Sequence, residues 1–287
     1  MFIVDSQVHI WAPESPDRPW IEGGAARIKL NGHREKPMGY EELRSLMEEA
    51  GVNRALIVPP SWEGDRVDFG LEAAHKYPDR FAVMARIPLE KPEEAKALLR
   101  SWEKEPGIKG TRLTFHRDQD RPWITDGTAD WYWPFAEERN IPTMVHAPER
   151  KPQLEAIAAK HPKLKIIVDH MGVLGHTVDD GIAPWIDSTV AMAKHPNIYV
   201  KVSAVPGYSK TPFPHPGLNK YVEKIVRAFG PQRCFWGTDL TRMLERNKLT
   251  YTQCVEHFTK HMPFLSESEK EGIMGRAICE CLNWPIK

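Results

Sequence analysis

Eight short runs of apolar and β-branched residues recur along the chain, at 2–11, 54–60, 81–88, 108–116, 141–146, 165–170, 198–205 and 234–239. They are apolar almost throughout rather than alternating, the pattern of parallel strands covered on both faces. Most are followed by a stretch with helical spacing. Residues 40–50 place Leu43, Leu46, Met47 and Ala50 on one face, and Gly51 closes the helix as a C′ residue. Pro92 opens another helix at its first turn, with Ala95, Leu98, Leu99 and Trp102 as the apolar stripe. Spans 152–160, 182–193, 218–229 and 267–282 read the same way. Eight strand–helix alternations in 287 residues predict a (β/α)8 TIM barrel, a single α/β domain over 1–287 with long loops at the C-terminal face of the strands. A doubly wound open sheet is the rival, but it would carry a glycine-rich phosphate turn after its first strand, and none is present.

Composition narrows the partners. The 39 basic and 39 acidic side chains cancel, so neither nucleic acid nor an anionic membrane finds the basic excess it needs. No apolar run approaches the ~20 residues that span a bilayer. The chain enters a strand-like run at Met1, which leaves no room for a signal peptide and points to a cytoplasmic protein. Four cysteines, at 234, 254, 279 and 281, form no CxxC pair, and Cys279 and Cys281 read as packing thiols of the last helix. Proline is frequent, with 25 in the chain, and the proline-rich stretches 12–37, 117–123 and 206–216 are expected to be long ordered loops. Barrels of this kind often self-associate through their outer helices, so a homo-oligomer is one expectation.

The strand ends carry the chemistry, because a barrel of this type builds its site there. The first strand ends Asp5-Ser-Gln7-Val-His9-Ile-Trp11, the fourth Gly110-Thr-Arg112-Leu-Thr114-Phe-His116, and the fifth Met144-Val-His146. The sixth ends Val168-Asp-His170-Met-Gly172, the seventh Val200-Lys201-Val-Ser203 and the eighth Trp236-Gly-Thr-Asp239. Alternate side chains share a face, so Gln7 and His9 point into the mouth together. Imidazole and carboxylate are the preferred ligands of zinc and related ions, and His9, His146 and Asp239 supply three with a position left open for water. Asp239 doubles as general base, and His170 is placed to polarise a substrate carbonyl. Asp5 sits deeper and is expected to fix a neighbouring strand.

These residues, in this order, resemble the amidohydrolase superfamily and within it the amidohydrolase-2 family of TIM-barrel metal-dependent hydrolases. Lys109-Gly-Thr-Arg112, Val200-Lys-Val-Ser203 and Trp131-Tyr-Trp-Pro134 add to the likeness, which covers essentially the whole chain. The resemblance implies one divalent metal, zinc or alternatively manganese, on the first-strand, fifth-strand and eighth-strand ligands, with the sixth-strand His170 on substrate. Position 7 departs from the pattern: Gln7 stands where hydrolases usually carry His and decarboxylases Glu, and its amide oxygen is a weak zinc ligand. The alternative is therefore a metal-free site. No carboxylated-lysine candidate accompanies the fourth strand, which argues against two metals.

A small cyclic or aromatic substrate is expected at the mouth. Arg112 and Arg242 offer forks for a carboxylate, Ser203 and Lys201 face the same way, and Trp11 belongs to an aromatic wall with Trp20, Trp62, Trp123 and Trp236. Each of these residues has a structural role as its alternative. His116, His176 and His215 read as solvated or loop-fixing residues that also lie on the mouth side. The reactions implied are hydrolytic opening of a lactone or cyclic amide, or non-oxidative decarboxylation of an aromatic acid, with a non-catalytic binding barrel as the third reading.

Overall fold

The computed structural model describes residues 1–115 and 122–286, so His116 lies outside the described residues. All eight expected strands form: β1 (Val4–Val8), β2 (Arg54–Ile57), β3 (Phe81–Ala85), β4 (Ile108–Thr114), β5 (Thr143–His146), β6 (Ile166–Val168), β7 (Ile198–Ser203) and β8 (Cys234–Gly237). They pair in parallel in sequence order. β8 returns to β1 through Asp239 N–H donating to Gln7 O at 2.9 Å and Ser6 Oγ donating to Trp236 O at 2.6 Å. The fold is a (β/α)8 barrel.

The helices are α1 (Gly24–Leu30), α2 (Tyr40–Ala50), α3 (Asp68–Lys76), α4 (Pro92–Trp102), α5 (Tyr132–Glu138), α6 (Lys151–Lys160), α7 (Ala183–Ala191), α8 (Asn219–Phe229), α9 (Leu240–Arg246), α10 (Tyr251–Lys260), α11 (Glu267–Glu271) and α12 (Ala277–Cys281). Two expectations need correction. The proline-rich stretch 12–37 is not all loop, since α1 lies inside it. The span 267–282 is not one regular helix but α11 and α12 joined by a π-helical turn, Gly272–Arg276. There the chain passes close under β1: a Cβ on Gly275 would stand 2.2 Å from the Phe2 carbonyl oxygen.

Two apolar layers result. Val4, Leu56, Met84, Met144, Ile167 and Phe235, from six different strands, cluster with α12 and Trp284, which places them inside the barrel with α12 closing its base. Cys279 and Cys281 belong to this plug as free, buried thiols. Ile57, Val83, Val145, Ile166, Val200 and Val202 pack instead against the outer helices. The alternation along β1 breaks at a register shift between Asp5 and Val8. Asp5 then faces α10, accepting from the Tyr251 hydroxyl at 2.7 Å, while Gln7 reaches the interior lysine of β7.

Candidate active site and metal centre

At the C-terminal ends of the strands lies a cavity of about 410 Å³, whose walls include His9, Trp62, Arg86, Arg112, His146, His170, Asp239 and Arg242. His170 and Asp239 do not end their strands in extended conformation. Both adopt left-handed backbone, at φ 53° and 58°, and so turn out of the barrel wall into the mouth. Such conformations cost about 1–3 kcal/mol at a residue with a side chain and persist where the surroundings hold them. Gly172, two residues after His170, is required at φ 63°, because a Cβ there would meet Lys151 Cε and Thr189 Oγ1 at 2.6 Å.

Beneath the cavity floor runs a buried polar chain. Lys201, fully buried, is ion-paired with Asp169 Oδ1 at 2.7 Å and donates to the Gln7 side-chain oxygen, and Asp169 Oδ2 accepts from Arg112 Nε at 3.0 Å. Burial pushes the Asp169 carboxyl up, but Lys201 and Arg112 outweigh it and hold the group well below the usual carboxylate range. The chain fixes Gln7. An ammonium has only hydrogens to offer, so Gln7 must turn its oxygen to Lys201 and its NH2 to His9 Nε2, 3.2 Å away. His9 meets that arrangement by donating Nδ1–H to Val58 O at 2.6 Å, which leaves a lone pair on Nε2.

Asp239 Oδ1 lies 3.4 Å from this Nε2 and has no hydrogen-bond donor. Burial lowers His9 to about 3, so the ring is neutral near pH 7. Burial raises Asp239, but His33, His170, His9 and Arg242 together bring it down to about 2. Two electron-rich atoms therefore face each other out of water, an arrangement that a divalent cation satisfies. A third donor is near: His9, His33 and Asp239 offer ligand atoms that all lie within 4.8 Å of one another. The donor set, two imidazoles and a carboxylate, fits a zinc-type ion. His170, its Nδ1 2.9 Å from Ser203 Oγ, is lowered to about 4 by burial.

The expected residues are thus partly assembled. His9, His146, His170, Asp239, Arg112 and Arg242 share the cavity wall, although His146 stands edge-on to His170, with ring centroids 5.4 Å apart, and is outside the close donor group. Gln7, Lys201 and Ser203 lie behind the wall rather than on it: Lys201 is spent on Asp169 and Gln7, and Ser203 on His170. Trp11 is fully buried and packs edge-on against Trp62, which lines the cavity in its place. His176 lines the cavity, while His215 is bound to Thr211 O at 2.7 Å and packs on Phe213. Three residues escaped the sequence reading. Arg86 directly follows β3 and was legible there as a charged residue after an apolar run. Arg246 follows Arg242 by one helical turn. His33 sits in the proline-rich loop after β1, where only the rule that such loops line the mouth pointed to it.

Comparison with known proteins agrees with this architecture. The L-fucono-1,5-lactonase of Burkholderia ambifaria is 28% identical over 252 residues, covering 83% of this chain and 80% of that protein. A crystal structure of an amidohydrolase from Burkholderia multivorans with bound zinc superposes with a TM-score of 0.79 at 20% identity, over 99% of this chain and 100% of the other. A probable 2-pyrone-4,6-dicarboxylic acid hydrolase from Acinetobacter baumannii, with citric acid bound, gives 0.75 at 18% identity over 99% and 100% of the two chains. The family model described as amidohydrolase, Amidohydro_2, matches residues 4–278, and the chain belongs to that family of hydrolases.

Proposed function

We propose that the protein is a lactonase, opening a small cyclic ester that carries a carboxylate. The observation that carries this reading is the convergence, in one cavity, of an unpaired Asp239 carboxylate oxygen, His170 and a set of guanidinium groups. The lactonase relative supports the reaction class. Zinc, held by His9 and Asp239, is the metal we assign; when bound it supplies Lewis-acid polarisation at the reacting centre. Asp239 takes the proton of the attacking water. This role takes the His170 tautomer in which Nδ1 accepts from Ser203 Oγ, 2.9 Å away, so that Nε2–H hydrogen-bonds to the carbonyl oxygen as negative charge develops there. Arg112, oriented by Asp169, adds a fixed positive charge on the same side. Collapse opens the ring, and the proton on Asp239 passes to the leaving oxygen.

The substrate carboxylate falls to Arg242 and Arg246, both of which donate to Gly175 O, and Arg242 Nε is buried with no acceptor of its own. A guanidinium in that state matches a carboxylate fork. The test is a panel of neutral and carboxylated lactones together with hydroxybenzoate-type acids, assayed on the wild type and Asp239→Asn. Ring opening of carboxylated lactones that falls at least ~10³-fold in the variant is the expected result, in the range seen when a proton-transfer group is removed. Carbon dioxide release from the aromatic acids with no lactone turnover would replace this reading by decarboxylation. Tight binding of a panel member without any turnover would replace it by a binding protein.

A further inference from the structure

We infer that His33, carried by the segment after β1 and not by any barrel strand, is the third protein ligand of the metal centre, and that a bound ion therefore ties this segment down over the mouth. The sequence offers the fifth-strand His146 as the third donor, with the position 7 amide as a weak one, but His146 lies outside the close donor group and the position 7 oxygen is turned to Lys201. The Gln7 oxygen is committed to Lys201, and its NH2 faces the His9 lone pair. An amide hydrogen there competes with a cation instead of holding one. Among the described residues, the only close group of three ligand atoms is that of His9, His33 and Asp239, and His146 is not in it.

His33 has the surroundings of a held ligand rather than of a loop histidine. It is buried, with Nδ1 2.8 Å from the buried Thr241 hydroxyl, so Nε2 is the atom left to face the cavity. A metal-binding imidazole is oriented in this way by a partner on its other nitrogen. The ring packs edge-on to His9 at 5.2 Å and against Trp62 at 5.1 Å. A tetrahedral zinc site with bonds of about 2.0–2.1 Å needs ligand atoms about 3.3 Å apart, and the 3.4 Å between His9 Nε2 and Asp239 Oδ1 already meets it. Two turns of contacts carry the constraint back along the chain: His33 N–H donates to Ile28 O at 3.1 Å, and Asn31 N–H to Arg27 O at 3.0 Å. Leu30 and Asn31 line the cavity together with His33. An ion on His33 thus closes one wall of the substrate site.

The test needs no substrate, so it stands or falls apart from the lactonase reading. Full-length protein is stripped with chelator and titrated with Zn2+ by calorimetry and with Co2+ by visible absorption. The wild type should take up one equivalent. His33→Ala should weaken Zn2+ at least ~10-fold, while His146→Ala should stay within ~2-fold. Thr241→Val, which keeps the imidazole and removes its partner, should fall between them and serves where His33→Ala does not fold. Zn2+ should also slow amide hydrogen exchange across 24–33 in the wild type and not in His33→Ala. Unchanged affinity in His33→Ala and Thr241→Val, a loss confined to His146→Ala, or no uptake by the wild type would each overturn the assignment.

Discussion

At the scale of single residues, the site depends on side chains whose proton inventory is dictated by partners out of view of the cavity. Lys201 decides which end of Gln7 meets His9, Gln7 and Val58 decide the His9 tautomer, and Ser203 and Asp169 orient His170 and Arg112. The sequence makes Gln7 and Lys201 visible as polar strand residues, but not their mutual contact, because it spans 194 positions of chain. Glu63, buried beside Trp62, offers a clean titration. Burial raises it from 4.5 to about 7, against a hydrogen bond from Ala12 N–H. Stability associated with its protonated form is full below pH 4.5 and is lost as pH rises through 7, where the unfolded chain is ionised and the folded group resists ionisation. Glu63→Gln should therefore stabilise the protein by about 2–3 kcal/mol at pH 8 and change little at pH 4.5, measured by urea unfolding at both pH values.

At the scale of elements, the apolar pattern located what packs along a stripe and passed over what does not. All eight strands and helices α2, α4, α6, α7 and α8 lie where that pattern places them, to within a few residues. Helix α1 was invisible because it buries only Gly24 and Ile28, and Leu30 is 83% exposed. It forms within a proline-rich mouth loop and brings His33 to the site. The π-helical turn before α12 was equally hidden. It coincides with the close pass of the backbone at Gly275 under Phe2, a contact between segments far apart in the chain that leaves no trace in local periodicity. Gly275→Ala should force that contact apart and cost about 1–3 kcal/mol, read as a lowered midpoint of thermal unfolding, with zinc affinity unchanged because the site is at the other end of the barrel.

At the scale of the whole molecule, a chain with no net charge concentrates positive charge at one place. Among the described residues that line the mouth, Arg86, Arg112, Arg242 and Arg246 face a single carboxylate, Asp239. A concave site of this sign draws anions in, and salt screens the attraction. For a carboxylated lactone, kcat/KM should fall roughly 3–10-fold between low salt and 0.5 M salt, and for a neutral lactone it should hardly change, as steady-state assays across ionic strength would read. No helix among the described residues is long and apolar enough to cross a membrane. By itself the sequence determined the strand–helix alternation, the barrel, and the identity of His9, His146, His170 and Asp239 as residues of one mouth. It did so because period and strand-end position are local properties. Which of them meet was decided by the tertiary structure alone. The left-handed turns at His170 and Asp239, the Lys201–Gln7 contact that orients the position 7 amide, and the arrival of His33 from outside the barrel all depend on contacts between segments far apart in the chain.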